Sequence, residues 1–393
     1  MGLLKGEKPR NFVNAWENNP PSEDQPKQLM PALDRIKIRG FKSIRELDLE
    51  LKRLNVLIGG NGAGKSNFIS AFSLLNNIVE QRLQAAVAKA GGADAMLYFG
   101  RKTTDKIEMH LLFKSNGYFA QLAPSADDGL YFEVEHGEFY GKQHDRPFRE
   151  PVGAGHRESI LPQAAQQEPG RVASHILNSL RSWKLYHFQD TSESAGVKAL
   201  GPLDDNAFLR PNARNLAAFL LSLKMRAPSH YKKIVATIRQ VTPFFDDFQL
   251  RESPLAPNKI KLEWRERDSD AYFNAHSMSD GTLRFVCLAT LLLQPTLPET
   301  ILLDEPELGL HPYAIRVLAE LLQSASATTQ VIVSTQSVSL VNQFSPEDLL
   351  VVEREAGNTV FKRPKSEDIQ NWADDYGLGD LWEKNVIGGR PVR

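Results

Sequence analysis

Residues 54–68 read LNVLIGGNGAGKSNF and contain the pattern G-x-x-x-x-G-K-S between Gly59 and Ser66. The apolar run before the pattern predicts a buried strand, and the periodic apolar residues after it predict a helix. Glycines let the loop between them curl, so its backbone N–H groups and the start of the helix can point at one phosphate group. In this setting the pattern predicts a nucleotide-binding phosphate loop.

The side chains of this loop have separate expected roles. We expect the ammonium group of Lys65 to reach the β- and γ-phosphates and the hydroxyl of Ser66 to ligate Mg²⁺. Further contacts to the nucleotide are expected from Gly59, Asn61, Gly62, Ala63, Gly64 and Asn67.

A second motif follows another apolar run. Residues 301–303 precede Asp304 and Glu305, and a buried parallel strand would place both acids at the ligand-binding edge of its sheet. There Asp304 can hold Mg²⁺, directly or through water, and Glu305 can orient and deprotonate an attacking water. The alternative is an exposed acidic turn before Pro306, which the phosphate loop upstream disfavours.

A third motif, Met278-Ser-Asp-Gly-Thr282, lies between the other two. Ser279 can cap the helix that follows, and Gly281 allows a close approach of another backbone. The start of that helix is an anion site. Capped helices are common, so this motif alone is a weak signal. The order of the three motifs along the chain makes it specific: the phosphate loop comes first, Ser279-Asp280-Gly281 next and the acidic strand last.

Composition and charge narrow the class of protein. With 393 residues, 41% hydrophobic and 24% charged, the chain has the make-up of a globular protein of up to three domains. A net charge of −1 gives no overall attraction to nucleic acid or membranes, although a local basic face stays open. The single cysteine, Cys287, excludes a disulfide scaffold. The longest apolar stretch, 285–293, is too short to span a bilayer, so we expect a cytoplasmic protein without a membrane partner.

These motifs resemble those of the ABC-type ATPase heads of the RecF, SMC and OLD group. Within this group the chain resembles more closely the single-head predicted ATPases of prokaryotes, many of which sit in phage-defence operons. The resemblance rests on Ile38-Arg-Gly-Phe-Lys-Ser43, the phosphate loop, Met278–Thr282 as signature, and Ile301–Pro312. It implies ATP hydrolysis with ATP and Mg²⁺ as cofactors. It also implies a dimer in which Ser279, Asp280 and Gly281 of one head cap the γ-phosphate bound by the other.

The expected fold is an α/β P-loop NTPase with a mixed, largely parallel central sheet, an antiparallel β subdomain and a helical insertion. Helix–strand alternation after residue 279 predicts the parallel sheet, and period-two runs over 106–140 predict an antiparallel meander. The expected segments are a flexible arm (1–32), the first part of the head with the phosphate loop (33–100), the meander and a long loop (101–165), a glutamine loop and helical lateral subdomain (166–247), and the rest of the head with signature, acidic strand and switch (248–393).

The resemblance assigns roles to further residues. Gln189 follows a predicted strand and matches the glutamine loop that contacts Mg²⁺ and the lytic water, although an ordinary strand-end residue is the alternative. Lys42 matches a basic residue that reaches the phosphates in related repair ATPases. Gln336 stands where many ABC ATPases carry a switch histidine. Its amide can donate to a γ-phosphate oxygen but cannot carry a charge, so slow turnover is expected. His311 is either a cross-dimer contact or a helix-start residue.

The leading hypothesis is an Mg²⁺-dependent ATPase that forms a homodimer or higher homo-oligomer around ATP and controls a partner. That partner is DNA or a separately encoded effector of nuclease type, and anti-phage defence is the family-level expectation. The alternatives are an ATP-locked scaffold with little turnover, which Gln336 favours, and a DNA repair ATPase like RecF or SMC proteins. An internal nuclease is disfavoured because no D-x-D follows the acidic strand end at Glu353.

Overall fold

The computed structural model describes residues 32–141, 146–364 and 376–389. The predicted arm, 1–32, lies outside them except for its last residue. The strands are β1 Arg35–Phe41, β2 Ile44–Glu50, β3 Leu54–Ile58, β4 Ile107–Phe113, β5 Asn116–Pro124, β6 Leu130–Phe139, β7 Phe148–Gly153, β8 Trp183–Tyr186, β9 Gly201–Pro202, β10 Phe245–Phe248, β11 Glu252–Ser253, β12 Ala256–Ile260, β13 Glu263–Glu266, β14 Tyr272–Asn274, β15 Thr300–Asp304, β16 Gln330–Thr335, β17 Leu349–Glu355 and β18 Asn358–Lys362.

Helices lie between some of these strands. They are α1 Lys65–Val79, α2 Leu83–Ala90, α3 Ala93–Met96, α4 Leu161–Gln167, α5 Val172–Ser182, α6 Leu216–Arg226, α7 Pro228–Val241, α8 Asp280–Leu293, α9 Pro312–Ser326, α10 Val338–Val341 and α11 Leu378–Glu383. Short 3₁₀ turns lie at Gly196–Lys198, Ala275–Ser277 and Pro346–Asp348. In the part of the chain that the structure describes, no helix is long and apolar enough to cross a membrane.

The central sheet has the strand order β18-β17-β3-β16-β15-β8. Neighbours from β17 to β8 pair in parallel, and β18 joins the edge antiparallel to β17. All residues of β3 and β16 are buried. Continuous apolar strands of this kind arise when both faces of a parallel sheet are covered. The predicted mixed, largely parallel α/β sheet is therefore what the chain forms.

Alternate residues of the central strands supply two hydrophobic cores. Val56, Ile301 and Val333 pack with helices α6 to α9 on one face. Leu57 and Ile332 pack on the other face with α1, α5 and the antiparallel sheet. The period-two side-chain alternation of a strand thus places the central sheet between two layers.

The antiparallel sheet has the order β2-β1-β4-β5-β6-β7. Alternate burial along β4 matches the predicted meander. The long loop expected up to residue 165 differs from the structure, because residues 148–153 form β7 against β6, and α4 begins at Leu161. Strand β7 is an edge strand without fully buried residues and contains Pro151, which an edge position tolerates. Such a strand has no apolar alternation to detect.

The lateral part between β8 and α8 carries α6, α7 and two small three-stranded sheets. The sequence predicts helices over 215–226 and 229–241, and these agree closely with α6 and α7. The sequence also predicts strands at 248–251 and 260–264, and the observed β10 and β13 are displaced from these bounds. Strands of two to five residues are too short for period-two alternation to fix their bounds.

Gln330, at the start of β16, ties the two sheets together. It is fully buried. Its Oε1 accepts from the Leu33 N–H at 3.2 Å, and its Nε2 donates to the carbonyls of Leu33 at 2.9 Å and Lys52 at 3.0 Å. The entrance of β1 and the exit of β2 are thereby fixed to the central sheet.

Replacing Gln330 with leucine tests this connection. Gln330→Leu leaves the buried N–H and carbonyl of Leu33 without this partner, and each such group costs about 1–3 kcal/mol. We expect the apparent free energy of unfolding to fall by roughly 2–4 kcal/mol in urea denaturation. Gln323→Leu is the control, because Gln323 is exposed and should leave stability within about 0.5 kcal/mol of native. Equal stability of the two variants would contradict the assigned role.

Candidate functional site

The predicted site residues lie at one edge of the central sheet. Strand β3 leads into the phosphate loop, and β15 ends at Asp304. Strand β16 runs between them, with Ser334 in register with Asp304 and Thr335 in register with Ile58. The carboxyl ends of parallel strands meet at the same edge, so residues far apart in the sequence converge there.

The phosphate loop has a backbone that suits glycine. Gly64 is the N-cap of α1 with φ 116°, and a Cβ at this position would lie 2.1 Å from Thr359 Oγ1. Gly62 also has a positive φ of 77°. Helix α1 starts without a side-chain cap and without an acid in its first turn. Its N–H groups and the positive end of its dipole therefore remain for an anion.

Lys65 points back into the loop. Its Nζ donates to the carbonyl of Gly59 at 2.6 Å and to that of Gly60 at 3.2 Å. Burial lowers the pKa of Lys65, and the carboxylates of Glu305 and Asp304 partly offset this effect. Ser66, the next residue, is exposed. At the start of α1, Lys65 thus directs its ammonium group into the loop, and Ser66 is exposed.

A network of polar side chains supports the phosphate loop, and no sequence motif indicated it. The hydroxyl of Thr359, fully buried on β18, donates to the Ala63 carbonyl at 3.0 Å and lies 2.7 Å from Ser43 Oγ. Asn67 Nδ2 donates to the same serine oxygen at 2.6 Å. This Ser43–Asn67–Thr359 network, called the brace below, joins the β1–β2 turn, the loop and β18. A threonine in a late strand gives no sequence signal of such a role.

The two acids at the end of β15 have different surroundings. A carboxylate oxygen of Asp304 accepts from the Ser334 hydroxyl, and its carbonyl accepts from Gln189 Nε2 at 3.0 Å. Glu305 has a left-handed φ of 45° and accepts a hydrogen bond from Gln336 Nε2. A positive φ is uncommon outside glycine and is concentrated at functional sites. The structure therefore brings Gln189 to the backbone of Asp304 and Gln336 to the side chain of Glu305.

Glu307 is a further acid that the sequence did not single out. It is buried, and its Oε1 accepts from the Thr335 hydroxyl. Burial raises the pKa of Glu307, and its Oε2 has no partner within the described ranges. The Thr335 hydroxyl also accepts from the Ser337 N–H at 3.0 Å. Glu307 therefore fixes the turn that carries Gln336.

The predicted signature lies at the start of α8. Ser279 is the N-cap, and its hydroxyl accepts from the Thr282 N–H at 3.2 Å. A Cβ at Gly281 would lie 2.3 Å from the Gly309 carbonyl, so a glycine is needed for this close approach. Ser279 and Asp280 are exposed. The start of α8 thus packs on the segment after the acids and leaves its polar side chains open.

Arg284 connects this helix to the glutamine loop. It is buried, and it donates from Nε to the Phe188 carbonyl at 3.0 Å and from Nη2 to the Gln189 carbonyl at 3.1 Å. A charged residue within the apolar stretch 283–293 was the available signal. Arg284 thereby links α8, the helix that begins at the predicted signature, to the backbone of Gln189.

The remaining predicted residues lie on the rim of this edge. His311 is the N-cap of α9, and its Nδ1 accepts from the Tyr313 N–H at 3.3 Å, which favours the helix-start interpretation. Lys42, next to Ser43 of the brace, has a left-handed φ of 50°, and burial lowers its pKa. Glu353 accepts from the Gly389 N–H at 2.7 Å and from Lys362 at 3.1 Å, which gives it a structural use.

The fold and these motifs define a P-loop ATPase of the AAA and ABC-like type. The chain belongs to the family described as "AAA domain, putative AbiEii toxin, Type IV TA system", which matches residues 124–342. Residues 32–137, which include the phosphate loop, match the family described as "AAA ATPase domain". The resemblance to the RecF, SMC and OLD group is confirmed.

Similar proteins agree with this class. The OLD nuclease of Thermus scotoductus is 23% identical over 386 residues, covering 91% of this chain and 68% of that protein. The phosphate import ATP-binding protein PstB of Ehrlichia ruminantium is 27% identical over 140 residues, covering 31% of this chain and 54% of that protein. The Smc head bound to the C-winged helix domain of ScpA has a TM-score of 0.57 at 16% identity, covering 87% of this chain and all of that chain.

The brace leads to a prediction for the phosphate loop. Thr359→Val keeps the shape of the side chain but removes the hydrogen bond to Ala63 and the contact with Ser43. We expect ATP to bind about tenfold more weakly, because the loop loses part of its preorganised geometry. Calorimetric titration measures the affinity. Thr328→Val, at an exposed threonine, is the control, and unchanged binding by Thr359→Val would show that the loop holds its shape without the brace.

Proposed function

We propose that this ATPase binds ATP with Mg²⁺ at the phosphate loop and hydrolyses it with Glu305 as the base. The observation that carries the proposal is the convergence of Lys65, Asp304, Glu305, Gln189 and Gln336 at one sheet edge. At this edge, chain segments that are distant in sequence supply a cation, a base and amides within one site. This is the set of groups that phosphoryl transfer to water requires.

The donor set at this edge fits Mg²⁺. The Ser66 hydroxyl, the Asp304 carboxylate and the Gln189 amide would hold it, and oxygen ligands are what this hard cation prefers. When bound, the ion neutralises charge on the β- and γ-phosphates. The metal-binding role of these residues is part of the proposal.

The residues of the chain would divide the remaining work. Lys65 and the backbone N–H groups at the start of α1 bind the phosphates. Further contacts come from Gly59, residues 61–64, Ser66, Asn67 and Lys42. Glu305 orients the attacking water and accepts its proton. Gln336 holds the Glu305 carboxylate and can donate to a γ-phosphate oxygen. A neutral amide at this position supports slow turnover.

Two variants separate binding from chemistry. Glu305→Gln should lower steady-state ATP turnover by about 10²–10⁴-fold, the range that general base catalysis supplies, while ATP affinity stays close to native. Lys65→Ala should remove both binding and turnover. Phosphate release and calorimetric titration measure the two quantities. Normal turnover by Lys65→Ala would contradict the site assignment.

We also propose that two heads close around ATP, with Ser279, Asp280 and Gly281 of one facing the phosphate loop of the other. The exposed polar start of α8 supports this arrangement. Leu308 and Tyr313, on the segment that follows the acids, are 51% and 45% exposed. Large apolar side chains next to a catalytic edge suit a face that is covered by a second copy.

Mixing inactive variants tests the shared site. In a mixture of Lys65→Ala and Ser279→Arg, half of the dimers are mixed and one of their two sites is intact, so up to about one quarter of native turnover should return. A mixture of Lys65→Ala and Glu305→Gln is the control, because both residues serve the same half of the site and no turnover should return. Absence of recovery in the first mixture would contradict the head-to-head dimer.

We propose that nucleotide-driven dimerisation controls a separately encoded effector of nuclease type or a DNA transaction, and that this control serves anti-phage defence. Similarity to an OLD nuclease supports a nucleic-acid role. Affinity purification from the native host, with ATP and with Glu305→Gln, tests it. Recovery of a nuclease or of DNA bound in an ATP-dependent way is expected, and ATP-independent recovery would contradict control by the nucleotide.

A scaffold locked by ATP is the second candidate, and a DNA repair ATPase like RecF or SMC proteins is the third. The hydrogen bond between Gln336 and Glu305 favours the scaffold, because it occupies the base with a neutral donor. Steady-state turnover with and without DNA separates the candidates. Negligible turnover with ATP-driven assembly would select the scaffold, and stimulation by DNA would select the repair ATPase.

A further inference from the structure

Phe99 is an exposed aromatic residue with a strained backbone. Its side chain is 61% exposed, and its φ is 55°. A left-handed conformation is a genuine outlier for a bulky residue and costs of the order of 1–3 kcal/mol. Exposure of a large apolar ring adds nothing to the core that would offset this cost. The position therefore calls for an explanation other than packing.

The segment that carries Phe99 is fastened to the β1–β2 turn. Leu97 forms an isolated bridge with Phe41, and the Tyr98 N–H donates to the Gly40 carbonyl at 3.0 Å. The Lys42 N–H donates in return to the Met96 carbonyl at 2.8 Å. Phe99 and Lys42, both in left-handed conformations, therefore stand on neighbouring turns that are hydrogen-bonded to each other.

The Phe99 ring is supported along part of its surface. Tyr98 meets it edge-on, with ring centroids 4.6 Å apart. Gly357, in the β17–β18 turn with φ 82°, comes so close that a Cβ there would lie 3.1 Å from Phe99 Cζ. The backbone of this turn thus forms a wall for the ring. The remaining surface of the ring is open.

The two turns next to Phe99, β17–β18 and β1–β2, both connect to the phosphate loop. Thr359, two residues beyond Gly357, binds the Ala63 carbonyl, and Ser43, next to Lys42, is joined to Asn67 of α1. Phe99 therefore lies on the rim of the loop, outside the brace. A nucleotide held at the loop by its phosphates must extend its nucleoside out of the loop, and the open Phe99 ring stands next to the turns that carry the brace.

We propose that Phe99 is a stacking platform for the base of the bound nucleotide. The proposal rests on the nucleotide site described under Proposed function. An aromatic face that is held rigid and left open is the surface on which a base stacks, and stacking accepts every base. Phe99 therefore supplies affinity for the nucleoside, and ATP and GTP gain from it alike.

Phe148 provides a matched comparison within the chain. It is also 61% exposed, but it lies on edge strand β7 and its φ is not positive. Single exposed apolar residues are common and need no explanation of their own. Phe148 is such a residue, whereas Phe99 combines exposure, a left-handed backbone and a place beside the loop.

Binding of two probes separates stacking from phosphate binding. Calorimetric titration of the full chain uses AMP-PNP with Mg²⁺, which has a base, and tripolyphosphate with Mg²⁺, which has none. For Phe99→Ala we expect AMP-PNP to bind about tenfold more weakly, the order that stacking of one base supplies, and tripolyphosphate to bind as in the native chain. Phe99→Trp should keep the affinity for AMP-PNP, and GMP-PNP should follow AMP-PNP in every variant.

Two control variants distinguish failure of the stacking proposal from failure of the nucleotide site. Phe148→Ala should bind both probes as the native chain does. AMP-PNP affinity of Phe99→Ala within twofold of native, or an equal loss for tripolyphosphate, would overturn the stacking role. Lys65→Ala should weaken both probes. If it weakens neither, the nucleotide site itself is wrong, whereas loss by Lys65→Ala with no loss by Phe99→Ala would overturn the stacking platform alone.

Discussion

The parallel pairing of β16 with β3 on one side and β15 on the other is the constraint on which the site depends. Because parallel strands end at the same edge, this register alone brings the phosphate loop, the two acids and Gln336 together. The strands can hold that register because both faces of the sheet are covered by apolar layers. The chemistry at the edge therefore rests on hydrophobic burial elsewhere in the fold.

Buried polar side chains then fix the positions of the residues that converge at this sheet edge. Thr359 holds the loop through the Ala63 carbonyl, Glu307 holds the turn with Gln336 through Thr335, and Arg284 holds Gln189 from α8. Each of these side chains is buried, so its hydrogen bonds act without competition from water. None of them is expected to touch the nucleotide, yet each positions a residue of the proposed site.

Local patterns predicted the residues at this edge and the type of fold. The phosphate loop, Asp304 and Glu305 each lie within one short stretch whose strand and flanking residues are visible in the sequence. Thr359 and Glu307 act through partners in other segments, and a single sequence does not show pairings at that range. Strand β7 was missed for a related reason, because an edge strand without a buried face has no period-two pattern.

The separation in sequence between the phosphate loop and Thr359 of the brace has a consequence during protein synthesis. The Thr359 hydroxyl and the Ala63 carbonyl are 296 residues apart in the chain. At a translation rate of about 5–20 residues per second, the loop leaves the ribosome roughly 15–60 s before the residue that supports it. A nascent chain therefore contains the phosphate-loop motif long before Thr359 can support it. We expect the chain to bind ATP with full affinity only after β18 has been synthesised.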